Sequence, residues 1–102
     1  MTSDKRTAPR ARLDCPVTLL RRRGGPVGGR TDDLGRGGAR IIVDRPLGID
    51  EELAFDLDLG DAHVDGRARV LRQEGRNCYA VRFESLDPAG AELLAAATTR
   101  AA

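Results

Sequence analysis

The sequence has few aromatic residues and no long apolar segment. The first shortage excludes a core rich in aromatic side chains, and the second excludes a membrane-spanning helix. Its only aromatic residues are Phe55, Tyr79 and Phe83, so its core must consist mostly of Leu, Val, Ile and Ala. No apolar run approaches the roughly 20 residues that a membrane-spanning helix requires, which predicts no membrane insertion. The N-terminus also lacks the apolar segment of a secretory signal peptide, so we expect a cytoplasmic protein.

Cysteine and histidine are scarce as well. The two cysteines, Cys15 and Cys78, and the single histidine, His63, do not have the spacing of a metal site. We expect two free thiols in a reducing compartment rather than a disulfide. The sequence shows no nucleophile–base pair and no convincing pair of carboxylates, so it favours a binding module without metal or cofactor over an enzyme.

Neither sign of charge is in clear excess, because the sequence contains 17 basic and 16 acidic residues. A small RNA- or DNA-binding barrel is therefore disfavoured, since such proteins normally carry a strong basic excess and expose aromatic side chains for stacking. The basic residues are nevertheless concentrated near the N-terminus, at Lys5, Arg6, Arg10 and Arg12, whereas the acidic ones lie mainly between residues 44 and 65. This asymmetry predicts that one end of the chain meets an anion.

The 102 residues are enough for one domain, which we divide into a flexible basic arm, 1–12, and a globular domain, 13–102. Alternating apolar and polar residues predict strands at 13–20, 53–59, 64–70 and 79–83, and a β-branched run predicts another at 39–44. Asp87 and Pro88 are typical of a helix start, and the helix should run to about Thr99. Short strands followed by one helix indicate a small antiparallel barrel with the helix on or beside it.

Two segments rich in glycine are predicted to be irregular. Residues 21–29 hold three arginines, four glycines and a proline, which is typical of a loop or hairpin connection. Residues 30–38 include Gly35, Gly37 and Gly38 within four positions. Such clustering indicates either positive φ angles or a close approach of the backbone to another group.

Two constellations next to predicted strands have the chemistry of a guanine and phosphate reader. An arginine guanidinium can donate two parallel hydrogen bonds to a phosphate or to the O6/N7 edge of guanine. Arg6 and Arg10 would supply such guanidinium groups. Asp33 can accept hydrogen bonds from the N–H groups of guanine. Taken alone, however, the two arginines also fit a solvated basic arm, and Asp33 fits an Asx turn.

The order of these constellations resembles the PilZ family. Residues 6–10 match its RxxxR motif, and the strand from Leu13 follows at the expected position. Residues 33–38 resemble its [D/N]xSxxG motif and are followed by the typical Ala-Arg-Ile of the next strand. Residues 79–83, then 86–88 and the helix, are similar to the family's ending, so the resemblance covers nearly the whole chain.

The resemblance implies an all-β fold, a six-stranded antiparallel β-barrel with a C-terminal α-helix, that binds cyclic di-GMP. By the family pattern, Arg6 and Arg10 would hold phosphate and guanine, Asp33 would hold a guanine edge, and Gly38 would keep the turn tight. Arg72, at the end of a strand, is a weaker additional candidate. The implied role is a receptor that changes its contacts with a downstream protein in motility, pilus or exopolysaccharide regulation.

Gly35 departs from the family pattern, because it stands where the motif has serine. A missing hydroxyl removes one hydrogen bond, worth about 0.5–1.5 kcal/mol, or about tenfold in affinity at the middle of that range. The alternative hypothesis is therefore a degenerate PilZ domain that binds no nucleotide and acts only through protein contacts.

Overall fold

The computed structural model describes residues 10–101, with Arg10 and Ala101 described by their backbone alone. Its elements, in chain order, are β1 (Arg10–Ala11), β2 (Pro16–Arg21), β3 (Val27–Gly35), β4 (Gly38–Val43), β5 (Glu52–Asp58), β6 (His63–Gly75), β7 (Cys78–Leu86) and α1 (Pro88–Ala101).

Six of the strands close into a barrel. Their order is β3-β2-β5-β6-β7-β4, and β4 pairs back onto β3, so every long strand has two antiparallel neighbours. The short β1 adds to the end of β3 on the edge that β2 leaves unpaired. The predicted six-stranded antiparallel barrel with a C-terminal helix is confirmed, and closure explains how a small chain avoids exposed sheet edges.

Alternation along the strands places the core inside the barrel. In β2 and β5 every second side chain is buried, with Leu19 and Leu57 almost fully enclosed. Phe55 and Phe83 stack with their ring centroids 4.9 Å apart. Cys15 and Cys78 are free thiols, as predicted.

The segment 30–38 is more regular than the sequence indicates. Most of it is strand, because β3 extends to Gly35 and pairs with β4 along its length. Among the described glycines, positive φ angles occur at Gly24 and Gly60 and not in this segment. Ladder hydrogen bonds on both edges of β3 outweigh the low strand propensity of glycine, which is why propensity misleads here.

Arg21 also departs from its predicted loop, because it is the last residue of β2. Its guanidinium Nε and Nη2 atoms donate to the two carboxylate oxygens of Glu51 at 2.7 and 2.9 Å. The connection between β2 and β3 is therefore confined to residues 22–26.

Helix α1 begins where the sequence predicts. Asp87 caps it, since its Oδ1 accepts the backbone N–H of Gly90 at 2.6 Å. The helix packs against β1, β3 and β6, with Leu94 fully buried. Within residues 10–101, no helix combines the length and the apolar character needed to cross a membrane.

Candidate ligand-binding site

A β-bulge at Asp32 sets the direction of the acidic side chains in β3. The register with β4 shifts between Thr31 and Asp33, so Asp32 is an extra residue without a partner opposite. Thr31 and Leu34 both point into the barrel and are buried, whereas Asp32 and Asp33 between them are half-buried. Bulges of this kind commonly redirect side chains beside functional sites.

Thr31 fastens the chain that connects β1 to β2. Its hydroxyl donates to the carbonyl oxygen of Leu13 at 2.6 Å and accepts the N–H of Cys15 at 3.0 Å. Its own N–H donates to the carbonyl oxygen of Cys15 at 2.8 Å. This buried hydroxyl therefore holds the bend that aligns β1 with the end of β3.

A row of residues crosses the outer surface of four strands next to this bulge. Asp33 of β3 lies opposite Arg40 of β4, Arg40 opposite Ala80 of β7, and Ala80 opposite Arg72 of β6. The residues line an open groove of about 420 Å³. The other lining residues are Gly37, Gly38, Ala39, Leu71, Glu74, Val81 and Arg82.

Gly38 lines the groove and must be glycine because of strand packing. A Cβ atom there would lie 2.2 Å from the backbone oxygen of Val81, closer than any side chain tolerates. The backbones of β4 and β7 therefore approach each other closely beside Gly38, in the lining of the groove.

The groove arginines are held by carboxylates. Arg40 donates through Nη2 and Nε to Asp32 at 2.6 and 3.1 Å, and this contact raises the pKa of its guanidinium. Arg72 donates to Glu74 at 2.8 Å and Arg82 to Glu84 at 3.2 Å. Three fixed positive charges thus face a groove that also carries Asp33 and Glu74.

The sequence matches the family profile of the PilZ domain over residues 4–100. This chain belongs to the PilZ domain family. No curated protein sequence matches it significantly, so the remaining comparisons are with solved structures.

Three solved structures share the fold of this PilZ domain at low sequence identity. The inhibitor of motility of Bacillus subtilis (MotI/DgrA) superposes with a TM-score of 0.84 at 12% identity, covering 95% of this chain and 51% of its own. The chain therefore spans about half the length of that protein. The PilZ domain of YcgR from Escherichia coli, solved with c-di-GMP, gives 0.78 at 15% identity over 96% of this chain and 92% of its own. The PilZ domain of CeSA from a cellulose-synthesizing bacterium gives a TM-score of 0.67 at 19% identity, covering 89% of this chain and 95% of its own.

The structure brings together three of the six residues that the sequence selects for this PilZ domain. Asp33, Gly38 and Arg72 all line the groove. Gly35 is buried at the end of β3, and its backbone lies opposite that of Arg10 in β1. Arg6 lies outside the described residues.

Sequence reasoning missed three charged residues of the groove, Arg40, Glu74 and Arg82. Arg40 lies two positions after the second PilZ motif, and its outward phase in β4 was a usable signal. Arg82 alternates with buried residues of β7 and carried the same signal. Glu74 carried none, because the register of β6 with β7 shifts repeatedly near it.

Proposed function

We propose that this PilZ domain is a receptor for cyclic di-GMP and that the groove beside Asp33 holds the nucleotide. The observation that supports this most is the pairing of Arg10 with Gly35. Strand pairing joins the second arginine of the first motif to the third residue of the second motif, although the two are far apart in sequence. The pairing brings the arginine arm to β3 two residues away from Asp33, which lines the groove.

The residues offer the chemistry that the ligand needs. Arginines from residues 6–10 would pair with phosphate in a charge-assisted, forked geometry. Asp33 would accept the N–H groups on a guanine edge. The lining combines the small residues Gly38 and Ala80, against which a base would lie, with the long cationic side chains of Arg72 and Arg82. The groove needs no metal or cofactor for this, and the proposed activity is binding rather than catalysis.

The comparisons support the same ligand and a regulatory output. The YcgR domain of this fold was solved with c-di-GMP, and the Bacillus subtilis protein is an inhibitor of motility. We infer that ligand binding brings the arginines of the basic arm against the nucleotide and alters a surface that a downstream protein reads, in motility, pilus or exopolysaccharide regulation. Helix α1 contacts β1, so a shift of β1 when Arg10 binds the ligand would act on the helix through direct contact.

Calorimetric titration with cyclic di-GMP tests the receptor hypothesis. We expect micromolar or tighter binding by the native protein and its loss in Arg10→Ala. Arg23→Ala is the matched control, because this arginine lies in the β2–β3 connection and does not line the groove. Absence of binding by the native protein, or equal losses in both variants, would contradict the proposal.

A degenerate, protein-binding PilZ domain is the second candidate, and Gly35 in place of the motif serine favours it. Gly35→Ser tests this directly, with Gly35→Ala as the control that adds a side chain without a hydroxyl. Binding that appears only in Gly35→Ser would show that the native site has lost its nucleotide. Binding by the native protein that Gly35→Ser leaves unchanged would show that the hydroxyl is dispensable here.

A further inference from the structure

Glu74 is the only acidic residue of β6 that lines the groove, and it contacts two of the groove arginines. Its carboxylate oxygens lie 2.8 Å from Nε of Arg72 and 3.7 Å from Nη1 of Arg40. Its side chain is 25% exposed and therefore partly shielded from water. The same two guanidinium groups are the donors that an anionic ligand entering the groove would meet.

The β6–β7 hairpin fixes the position of this carboxylate. The turn after Glu74 contains Asn77 in a left-handed conformation, with φ of 57°. The carbonyl oxygen of Asn77 accepts the backbone N–H of Val43 at 2.9 Å, which ties the turn to β4. Glu74 thus stands on a held hairpin rather than on a free loop.

Asp32 contrasts with Glu74, although it also pairs with Arg40. It belongs to the bulge and lines a neighbouring depression with Arg12 and Ile42, and it is not part of the groove lining. Asp32 therefore holds Arg40 from outside the groove lining, while Glu74 contacts Arg40 as a residue of that lining.

We propose that Glu74 is an internal competitor for the anion, which sets the affinity and charge selectivity of the groove. This inference rests on the proposed function. A ligand phosphate that pairs with Arg40 or Arg72 must replace the Glu74 carboxylate or lie beside it, and both reduce the net gain from binding. Without the Glu74 charge, the lining would hold three arginines against Asp33 alone.

Glu74→Gln removes the charge and keeps the shape, so its cyclic di-GMP affinity measured by calorimetry tests the proposal. We expect about threefold to tenfold tighter binding, the range that two partly exposed ion pairs can supply. Glu52→Gln is the matched control, because Glu52 is 29% exposed, pairs with Arg22 at 3.6 Å and does not line the groove. It changes the net charge equally and should leave the affinity within twofold.

A double-mutant cycle identifies the route of the effect. The gain from Glu74→Gln should shrink in an Arg72→Ala background, because one of the arginines that Glu74 occupies is then absent. A gain of the same size in both backgrounds would overturn the proposal.

The outcomes separate this inference from the proposed function. If the native protein binds and Glu74→Gln binds within twofold of it, competition by Glu74 is wrong and the receptor function stands. Binding by Glu74→Gln alone would support the competitor role and show that the native site is closed to the ligand. If neither protein binds, both proposals are overturned.

Discussion

A Cβ atom at Gly38 would lie 2.2 Å from the carbonyl oxygen of Val81, so β4 and β7 meet here more closely than any other residue type permits. Gly37, its neighbour, has nothing within 4 Å of the corresponding position. The adjacent glycines of the second PilZ motif therefore have different reasons to be glycine, and only Gly38 is required by packing.

Gly38→Ala should destabilise the domain by about 1–3 kcal/mol, the range found when a well-packed site is overfilled. Gly37→Ala should change the free energy of unfolding by less than about 0.5 kcal/mol, as exposed substitutions usually do. Urea unfolding followed by circular dichroism measures both. Equal stability of the two variants would show that β4 and β7 can separate at no cost.

Leu94 and Leu93 are adjacent in α1 and test how much the helix contributes to the domain. Leu94 is fully buried and Leu93 is 38% exposed. Leu94→Ala should cost about 2–5 kcal/mol, because it leaves a cavity where the helix packs on the barrel, whereas Leu93→Ala should cost well under half as much. Comparable unfolding midpoints for the two variants would mean that the helix is not anchored through Leu94.

Alternation along the chain was enough to predict much of this fold. Leu53, Phe55 and Leu57 report a strand with one buried face, and the structure confirms it. Asp87 and Pro88 likewise predict the start of the helix, because capping depends on a few neighbouring residues. Both features depend on residues that are close together in the sequence, so they can be predicted from the sequence alone.

The site required information that local patterns lack. The bulge at Asp32 and the pairing of Asp33 with Arg40 depend on the register between strands, which is fixed by the closed barrel as a whole. The strand at residues 30–35 was not predicted for the same reason, since the pairing partners of this glycine-rich segment come from other parts of the chain. Motif resemblance identified Asp33 and Gly38 without that geometry, but it gave no role to Glu74.

The ion pair between Arg21 and Glu51 predicts how the free energy of unfolding depends on pH. The hydrogen bonds that Arg21 donates lower the pKa of Glu51 below the ordinary value for glutamate. A carboxyl group with a lowered folded-state pKa stabilises the fold above its unfolded-state pKa of about 4.3, and this contribution is lost as the pH falls through the folded-state value.

Glu51→Gln should therefore cost about 1 kcal/mol at pH 7 and progressively less below about pH 4.3. The measurement is the difference in unfolding free energy between native protein and variant at a series of pH values. Glu52→Gln serves as control, because its partner Arg22 is 84% exposed and 3.6 Å away. A difference for Glu51→Gln that stays constant down to pH 2.5 would contradict the assignment.

His63 provides a titration that can be observed directly, because it is the only histidine of the chain. Its Nδ1 lies 3.0 Å from Oδ1 of Asp56, and this hydrogen bond raises the pKa of the imidazole above its ordinary value. The resulting stabilisation is present below the unfolded-state pKa of about 6.5 and is lost as the pH rises through the folded-state pKa.

Proton NMR should thus give His63 a pKa above about 6.5 in the native protein and a value near it in Asp56→Asn. Asp65→Asn is the control, because Asp65 lies opposite Asp56 in the β5–β6 ladder and makes no contact with the imidazole among the described residues. It should change the His63 pKa much less, since a hydrogen bond acts at contact whereas charges at an exposed surface are screened by water and salt. Equal shifts in the two variants would instead assign the raised pKa to the general negative charge of this surface.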